Sequence, residues 1–382
     1  LARGKKRILI VAGEASGDLH GSGVAAELLR RSPGIQIQAM GGERLRAAGA
    51  EVLIDSSKLA VVGLTEVLGR LGALYRAHRF LKRLIQARGI DLVILIDFPD
   101  FNLPLALAAK RAGVPVLYYI SPQVWAWRSG RTVKIARRVT RMAVIFPFEV
   151  PLYRKEGLET EFVGHPLMDV LCIPEDGSRV SSRPPEWHGN PVVALLPGSR
   201  TKEVKSLLPE MIRAADLLTL RMPESRFLLA VAPGLEAGDI EKSIPPHRAA
   251  ITAVRDRTYE AIGAADLVIV ASGTATLETA ILQKPMIIVY RVSPVTYWTG
   301  RAMVRVKWIG LVNLVAGRAL APELIQGEAT GERIAEEALR ILGDEKLRRE
   351  MIAGLAEVRE KLGAPGAAGR VAEMALAMIK NG

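Results

Sequence analysis

An α/β protein of two doubly wound halves is the fold this sequence predicts, and three observations carry the prediction. Short apolar runs alternate with helical patterns, as in parallel sheets covered by helices. The plan also occurs twice: the run at 8–11 leads into GEASGD (13–18), and PVVALLPGSR (191–200) leads into a second glycine turn. Between the two, residues 172–190 lack periodicity and are rich in Pro, Ser and Gly, as a linker is.

The elements follow in order. Residues 8–11, 92–96, 114–120 and 142–146 read as parallel strands, because continuous apolar runs of that length suit strands buried on both faces. Helical patterns lie near 22–31, 63–88, 103–112 and 130–138. Beyond 191 the alternation restarts, with a helix at 202–221 and strands near 227–232, 250–254, 267–271 and 286–290. The tail, 330–380, is helical, with Gly363, Pro365 and Gly366 breaking it. The expected domains are therefore 1–171, a linker at 172–190, 191–344, and a helical end at 345–382. Ligands of such sheets bind outside the carboxyl ends of the strands, where both glycine turns fall, so the two Rossmann-like halves are expected to face each other across a cleft.

Composition narrows the function. With 382 residues and 49% hydrophobic content there is material for sizeable cores and little case for disorder. The single cysteine, Cys172, makes no intrachain disulfide and no cysteine zinc cluster, and it suits a reducing compartment. No His pair has metal-ligand spacing, so no metal is expected. The opening LARGKKRILIV reads as a first strand and not as a signal peptide, since its apolar stretch stops at Gly13-Glu14. A net charge of +12 favours anionic partners. Only 5% of residues are aromatic and none interleave with basic residues as base-stacking surfaces do, so nucleic acid is not expected as a partner.

Several stretches carry candidate chemistry. The first glycine turn has no Lys for a phosphate and is neither a P-loop nor a Gly-x-Gly-x-x-Gly fingerprint. Its Gly13, Ser16 and Gly17 allow close backbone approach to a ligand, while Glu14 and Asp18 either hydrogen-bond sugar hydroxyls or brace the loop. LVILIDFPDFNLP (92–104) puts Asp97 at a strand end, followed by Asp100 and Asn102; carboxylates at such an edge are candidate general bases, or else helix caps. In YYISPQVWAWRSGR (118–131), Gln123, Trp125 and Trp127 either contact a sugar or an acyl chain, or belong to the core. Gly198, Ser199 and Arg200 offer a guanidinium to a diphosphate leaving group, or form an ordinary capped turn. LVIVASGTATLETA (267–280) is the strongest nucleotide signal. Ser272, Gly273, Thr274 and the free N–H groups of the next helix suit a phosphate, and Glu278 suits ribose hydroxyls. His165 is a candidate acid–base or substrate contact, or a structural residue. Finally, 62–89 is an amphipathic basic helix. Leu68 and Leu71 on its apolar side, with Arg76, Arg79 and Lys82 among its cations, suit an anionic membrane surface if that side is not core. A second apolar-basic stretch runs over 296–310.

Seven stretches, GEASGD (13–18), IDFPDFN (96–102), SPQVWAWR (121–128), GHPLMD (164–169), LLPGSR (195–200), ASGTATLE (271–278) and NLVAGR (313–318), together resemble the lipid-A-disaccharide synthase family, in order and across almost the whole chain. The resemblance implies a GT-B glycosyltransferase of Gram-negative lipid A biosynthesis. Such an enzyme joins UDP-2,3-diacylglucosamine to 2,3-diacylglucosamine 1-phosphate (lipid X), releasing UDP and a β-1′,6-linked disaccharide 1-phosphate. It works without a cofactor, as a peripheral protein on the inner face of the inner membrane. It also implies roles. Asp97 matches the family's important acid, Arg200 its Pro-Gly-Ser-Arg arginine, Ser272, Gly273, Thr274 and Glu278 its nucleotide stretch, and Asn313 an asparagine near the donor. In other GT-B families the last helices cross back to the first domain, so 345–382 is expected to pack there. The implied mechanism is inverting, with Asp97, or Asp100 or Glu14, taking the acceptor's proton while Arg200 stabilises UDP. The competing readings are another GT-B enzyme using a UDP-sugar, either an undecaprenyl-linked acceptor transferase or a UDP-sugar epimerase, and a non-enzymatic nucleotide-binding module.

Overall fold

In the computed structural model, the described residues are 6–57, 67–87, 89–127, 130–171, 183–232, 235, 238, 240, 242–293, 297 and 307–380. They form two compact units. One comprises the chain up to Asp169 together with the end from Leu362; the other runs from Val170 to Lys361.

The first unit holds a seven-stranded sheet: β1 (Arg7–Ala12), β2 (Gln36–Gly41), β3 (Glu51–Asp55), β4 (Leu92–Ile96), β5 (Val116–Tyr119), β6 (Arg141–Val144) and β7 (Glu159–Phe162). Its order is β3-β2-β1-β4-β5-β6-β7, and every pairing is parallel. The second unit repeats the plan with β8 (Val192–Leu196), β9 (Arg226–Val231), β10 (Ile251–Arg255), β11 (Leu267–Ala271), β12 (Met286–Tyr290) and β13 (Glu323–Ile325), again all parallel. Its order is β10-β9-β8-β11-β12-β13. Each sheet reverses its winding between its first and fourth strands. A crevice opens there at the carboxyl edge, because successive crossovers leave toward opposite faces.

The central strands are apolar throughout because helices cover both faces. Every residue of β4 and β8 is buried, as are Ile8 to Ala12 of β1. Strands at or next to the sheet edges carry a weaker pattern. QIQAMG, ELI and ETEF mix polar with apolar residues, so β2, β13 and β7 escape detection by apolar runs, and so does the short β3.

Two segments behave differently from the sequence expectation. The helix after β1 begins at Ala15 and not near residue 22, so Gly17, Gly21 and Gly23 lie inside it. A Cβ on Gly21 would meet Ile96 Cδ1 at 3.0 Å and Leu45 Cδ1 at 3.3 Å, so Gly21 is small because the helix lies close to the sheet, and Gly23 faces Ala368 of the C-terminal helix. The second is the end of the expected linker. Trp187 is buried against Val192, Leu228, Val254 and Ala261, and Arg183 pairs with Asp266 at 2.9 Å, so 183–190 belongs to the second unit's fold. Residues 172–182 lie outside the described residues. At the C-terminus, helix Glu345–Lys361 is part of the second unit, and helix Ala367–Lys380 packs with helix Ala15–Arg31 in the first.

Helix Val67–Gln86 shows which face the core claims. Ala77, Leu81 and Ile85 are buried in the first unit's core, with Leu74 and Leu84 packed against it. From Leu74 to Ile85 the apolar stripe is therefore spent inside the protein. The other face exposes Arg76, Arg79 and Lys82 together with two large apolar side chains, Tyr75 (66% exposed) and Phe80 (47%). Leu64 and the side chains of Leu68 and Leu71 lie outside the described residues, as do 296 and 298–306. Truncation should separate the faces. Leu81→Ala is expected to cost about 2–5 kcal/mol in urea unfolding, whereas Tyr75→Ala should stay within about 0.5 kcal/mol.

Candidate active site

The first unit has a cavity of about 390 Å³ at the carboxyl ends of β4, β5 and β6, lined by Asp97, Asp100, Ser121, Gln123, Arg131 and Phe146 among others. Asp97 is the residue immediately after β4, and its backbone is unusual. Asp97 and Phe98 have φ of +43° and +47°, two successive left-handed residues without glycine. Such a pair costs roughly 1–2 kcal/mol per residue, so the surroundings must hold it. The Asp97 N–H donates to the Tyr119 carbonyl at 3.1 Å, and the Asn102 amide donates to the carbonyls of Ile96 (3.1 Å) and Asp97 (2.7 Å). Burial, reinforced by the nearby Glu14 carboxylate, pushes the Asp97 carboxyl up to about 6, against an opposing bond from the Phe98 N–H. A carboxyl poised there can accept a proton near neutral pH.

Asn102 thus serves the turn from a fully buried position, and it does not line the cavity as the acceptor contact that the sequence suggested. Asp100 does line it, with a side chain 82% exposed and paired to Arg131 at 3.0 Å.

The first glycine segment is mostly structural. Asp18 is buried, and its carboxylate accepts N–H groups from Gly42 (2.6 Å), Arg44 (3.1 Å) and Leu45 (3.2 Å). It braces the next loop, with three N–H bonds on a carboxylate that is only 6% exposed. Gly17 is buried within the helix. Gly13 makes room for a ring, since a Cβ there would stand 2.2 Å from Phe98 Cδ1. Glu14 and Ser16 remain exposed.

Trp125 also turns inward. Its indole N–H donates to Glu149 Oε1 at 3.1 Å, and its ring meets Phe148 edge-on. Glu149 is 1% exposed, and burial pushes its carboxyl up to about 7. Gln123, by contrast, is exposed and lines the cavity. The Trp127 side chain lies outside the described residues. His165 is buried against Phe146, burial pushes it down to about 3, and its Nδ1 accepts the Leu167 N–H, so its role is structural.

The second unit has its own cavity, about 530 Å³, at the carboxyl ends of β8, β9, β10 and β11. Gly198, Ser199, Arg200, Ser272, Gly273, Thr274 and Glu278 all line it. Gly198 adopts φ +110°, and a Cβ there would lie 2.5 Å from Glu203 Oε2. Arg200 is 80% exposed, and its ion pair to Glu203 at 2.8 Å is water-screened and easily exchanged. Burial raises the Glu278 carboxyl, toward which the Tyr259 hydroxyl donates at 3.4 Å. Thr276 is fully buried, with its hydroxyl on the Gly273 carbonyl.

Asn313 does not belong to this cavity. It is fully buried; its amide donates to Ala321 O and Glu323 Oε1, and its oxygen accepts the N–H groups of Leu320 and Ala321. Every polar atom is committed to the turn before β13, which accounts for the asparagine without a ligand.

Sequence reasoning missed the third wall of the second cavity, Asp256, Thr258 and Tyr259, which follows β10. The signal was present: a polar Asp-Arg-Thr at a strand end of a parallel sheet sits where ligands bind. Arg131 and Ser121 in the first cavity were also passed over, although both lie in the stretch 118–131 that the motif reading covered. Among the described residues no group of three or more His, Cys, Asp or Glu is placed to hold a metal, and no helix is long and apolar enough to cross a membrane.

Comparison with known proteins places this geometry. The family model for lipid-A-disaccharide synthetase matches residues 8–368. The lipid-A-disaccharide synthase of Geobacter metallireducens is 50% identical over 374 residues, which cover 98% of this chain and 97% of that one. Among solved structures, MurG of Acinetobacter baumannii superposes with a TM-score of 0.58 at 15% identity, covering 97% of this chain and 99% of that one. A UDP-GlcNAc 2-epimerase from Neisseria meningitidis gives 0.59 at 13%, covering 98% and 100%. These two show the GT-B fold alone, since one plan serves transferase and epimerase alike. The half-identical relative, over nearly the full chain, settles what the fold leaves open: this chain belongs to the lipid-A-disaccharide synthase family.

Proposed function

We propose that the protein makes the lipid A disaccharide by inverting transfer, with the first unit serving the acceptor and the second the UDP-sugar. The donor is UDP-2,3-diacylglucosamine and the acceptor 2,3-diacylglucosamine 1-phosphate. Asp97 takes the proton from the acceptor's 6-hydroxyl as its oxygen attacks the anomeric carbon. The C1–O bond to UDP breaks, and α becomes β. Charge grows on the departing diphosphate, where Arg200 and the hydroxyls of Ser199 and Thr274 stabilise it, with the turn at Ser272-Gly273 shaping the site. Glu278 accepts the ribose hydroxyls. What supports the reading most is Asp97 itself, a partly buried carboxyl raised toward neutrality, at a switch point and lining a cavity. Asp100 is 82% exposed and held by Arg131, and Glu14 acts through its field on Asp97.

We further propose that the exposed basic face of helix Val67–Gln86 rests on an anionic membrane, on the cytoplasmic side of the inner membrane where both lipid substrates are presented. Tyr75 and Phe80 enter the interface while Arg76, Arg79 and Lys82 meet headgroups. The Leu81 side of the helix takes no part.

Purified protein given both lipid substrates should yield the disaccharide 1-phosphate and UDP, read by mass analysis. Asp97→Asn should largely abolish turnover while UDP affinity holds, and Arg200→Ala should weaken both, with turnover down on the order of 10²–10³-fold. The base must be ionised, so kcat/KM should fall as pH drops through about 6. Glu14→Gln removes a negative neighbour and should move that acid limb to lower pH. Co-sedimentation should show binding to phosphatidylglycerol vesicles in preference to phosphatidylcholine, weakened by salt and by Arg79→Glu with Lys82→Glu.

A further inference from the structure

We propose that Tyr118 is a positioning residue for Asp97: its hydroxyl fastens the left-handed turn that presents the carboxylate to the first-unit cavity. This rests on the reading of Asp97 as the base and adds the group that holds it there. Tyr118 lies on β5, beside β4, and is fully buried with its ring in the core. Its hydroxyl donates to the Asp97 carbonyl at 2.6 Å. That carbonyl lies beyond the last rung of β4, where a left-handed residue turns it away from the ladder. The Asn102 amide reaches the same oxygen at 2.7 Å, so two side chains from different elements converge on one carbonyl. The turn is also locked from the far side. The Phe98 ring stacks on Phe101 with centroids 5.4 Å apart and occupies the space a Cβ on Gly13 would need.

The arrangement explains a phenol in this core. A phenylalanine would fill the same volume; what the hydroxyl adds is the bond to the Asp97 carbonyl and a side-chain hydrogen-bond contact with Asn102, the other residue that holds that carbonyl. Without it, the two left-handed residues lose one restraint and the carboxylate samples other directions. That costs the proton-transfer step and leaves binding at the second unit untouched.

The test is Tyr118→Phe in the full-length protein, with steady-state kinetics, UDP affinity and thermal unfolding measured together. The expected result is a kcat about 10-fold lower, the scale of one neutral hydrogen bond, with donor KM and UDP affinity within 2-fold of wild type. Gly13→Ala gives an independent reading. It should also lower kcat, and adding Phe98→Leu, which makes room for the methyl group, should restore part of the loss. A Tyr118→Phe protein with kcat within 2-fold of wild type overturns the proposal. So does a loss shared in proportion by kcat, UDP affinity and unfolding temperature, which marks a general structural role. If Asp97→Asn is itself near normal, the base assignment has failed; if it is inactive while Tyr118→Phe is unaffected, only the positioning role has failed.

Discussion

Where a doubly wound parallel sheet reverses its winding, helices leave toward opposite faces and a gap is left at the carboxyl edge, and both halves of this protein depend on that gap. In the first unit it lies between β1 and β4, and the residues next to it are Gly13 and Asp97. In the second it lies between β8 and β11, and the residues next to it include Gly198 and Ser272. Parallel strands end their hydrogen-bond ladders together, so backbone groups, turn glycines and polar side chains collect at one edge. The second cavity opens across its switch point, whereas the first lies beside its own, over β4, β5 and β6, with Asp97 on the border, and the two differ in chemistry because different side chains follow the strands.

The two edges solve the turn problem differently. After β8 the chain uses glycine in the left-handed region, and Glu203 folds back against it. After β4 the chain uses Asp97 and Phe98 in that region, which L side chains resist. A glycine there would be easier for the backbone and useless for the chemistry. The conflict is met by hydrogen bonds from neighbouring elements and by a glycine placed opposite, at position 13. The first glycine motif thus answers a packing demand created by the Asp97 turn. Its acid at 18 secures the adjacent loop, and its acid at 14 lends its field to Asp97.

Charge and apolar surface are likewise divided by packing. The chain carries +12, yet many of its arginines are tied to local acids in exposed pairs that add little stability. On helix Val67–Gln86 the aliphatic side chains of Leu74, Ala77, Leu81, Leu84 and Ile85 go to the core, and among the described side chains the exposed ones are mostly basic, with two aromatic rings. A helical stripe of leucines does not by itself say whether a core or a membrane receives it; the sheet beneath decided here.

Sequence alone determined the α/β plan, the doubling of it, and the central strands, because continuous apolar runs have few other uses. It also marked the second cavity's glycine and serine–threonine turns and the acid after β4, since strand ends are where such folds bind. The tertiary structure decided the rest. Asp18, Asn102, Asn313 and Trp125 are polar or amphipathic groups near strand ends, indistinguishable in sequence from ligand contacts, and only folding shows their hydrogen bonds spent on the protein itself. The wall formed by Asp256, Thr258 and Tyr259 came from a strand remote in sequence from both glycine turns. Periodicity and motif spacing report what a segment needs locally. Which polar atoms are left for a substrate depends on partners that the chain brings together only when it folds.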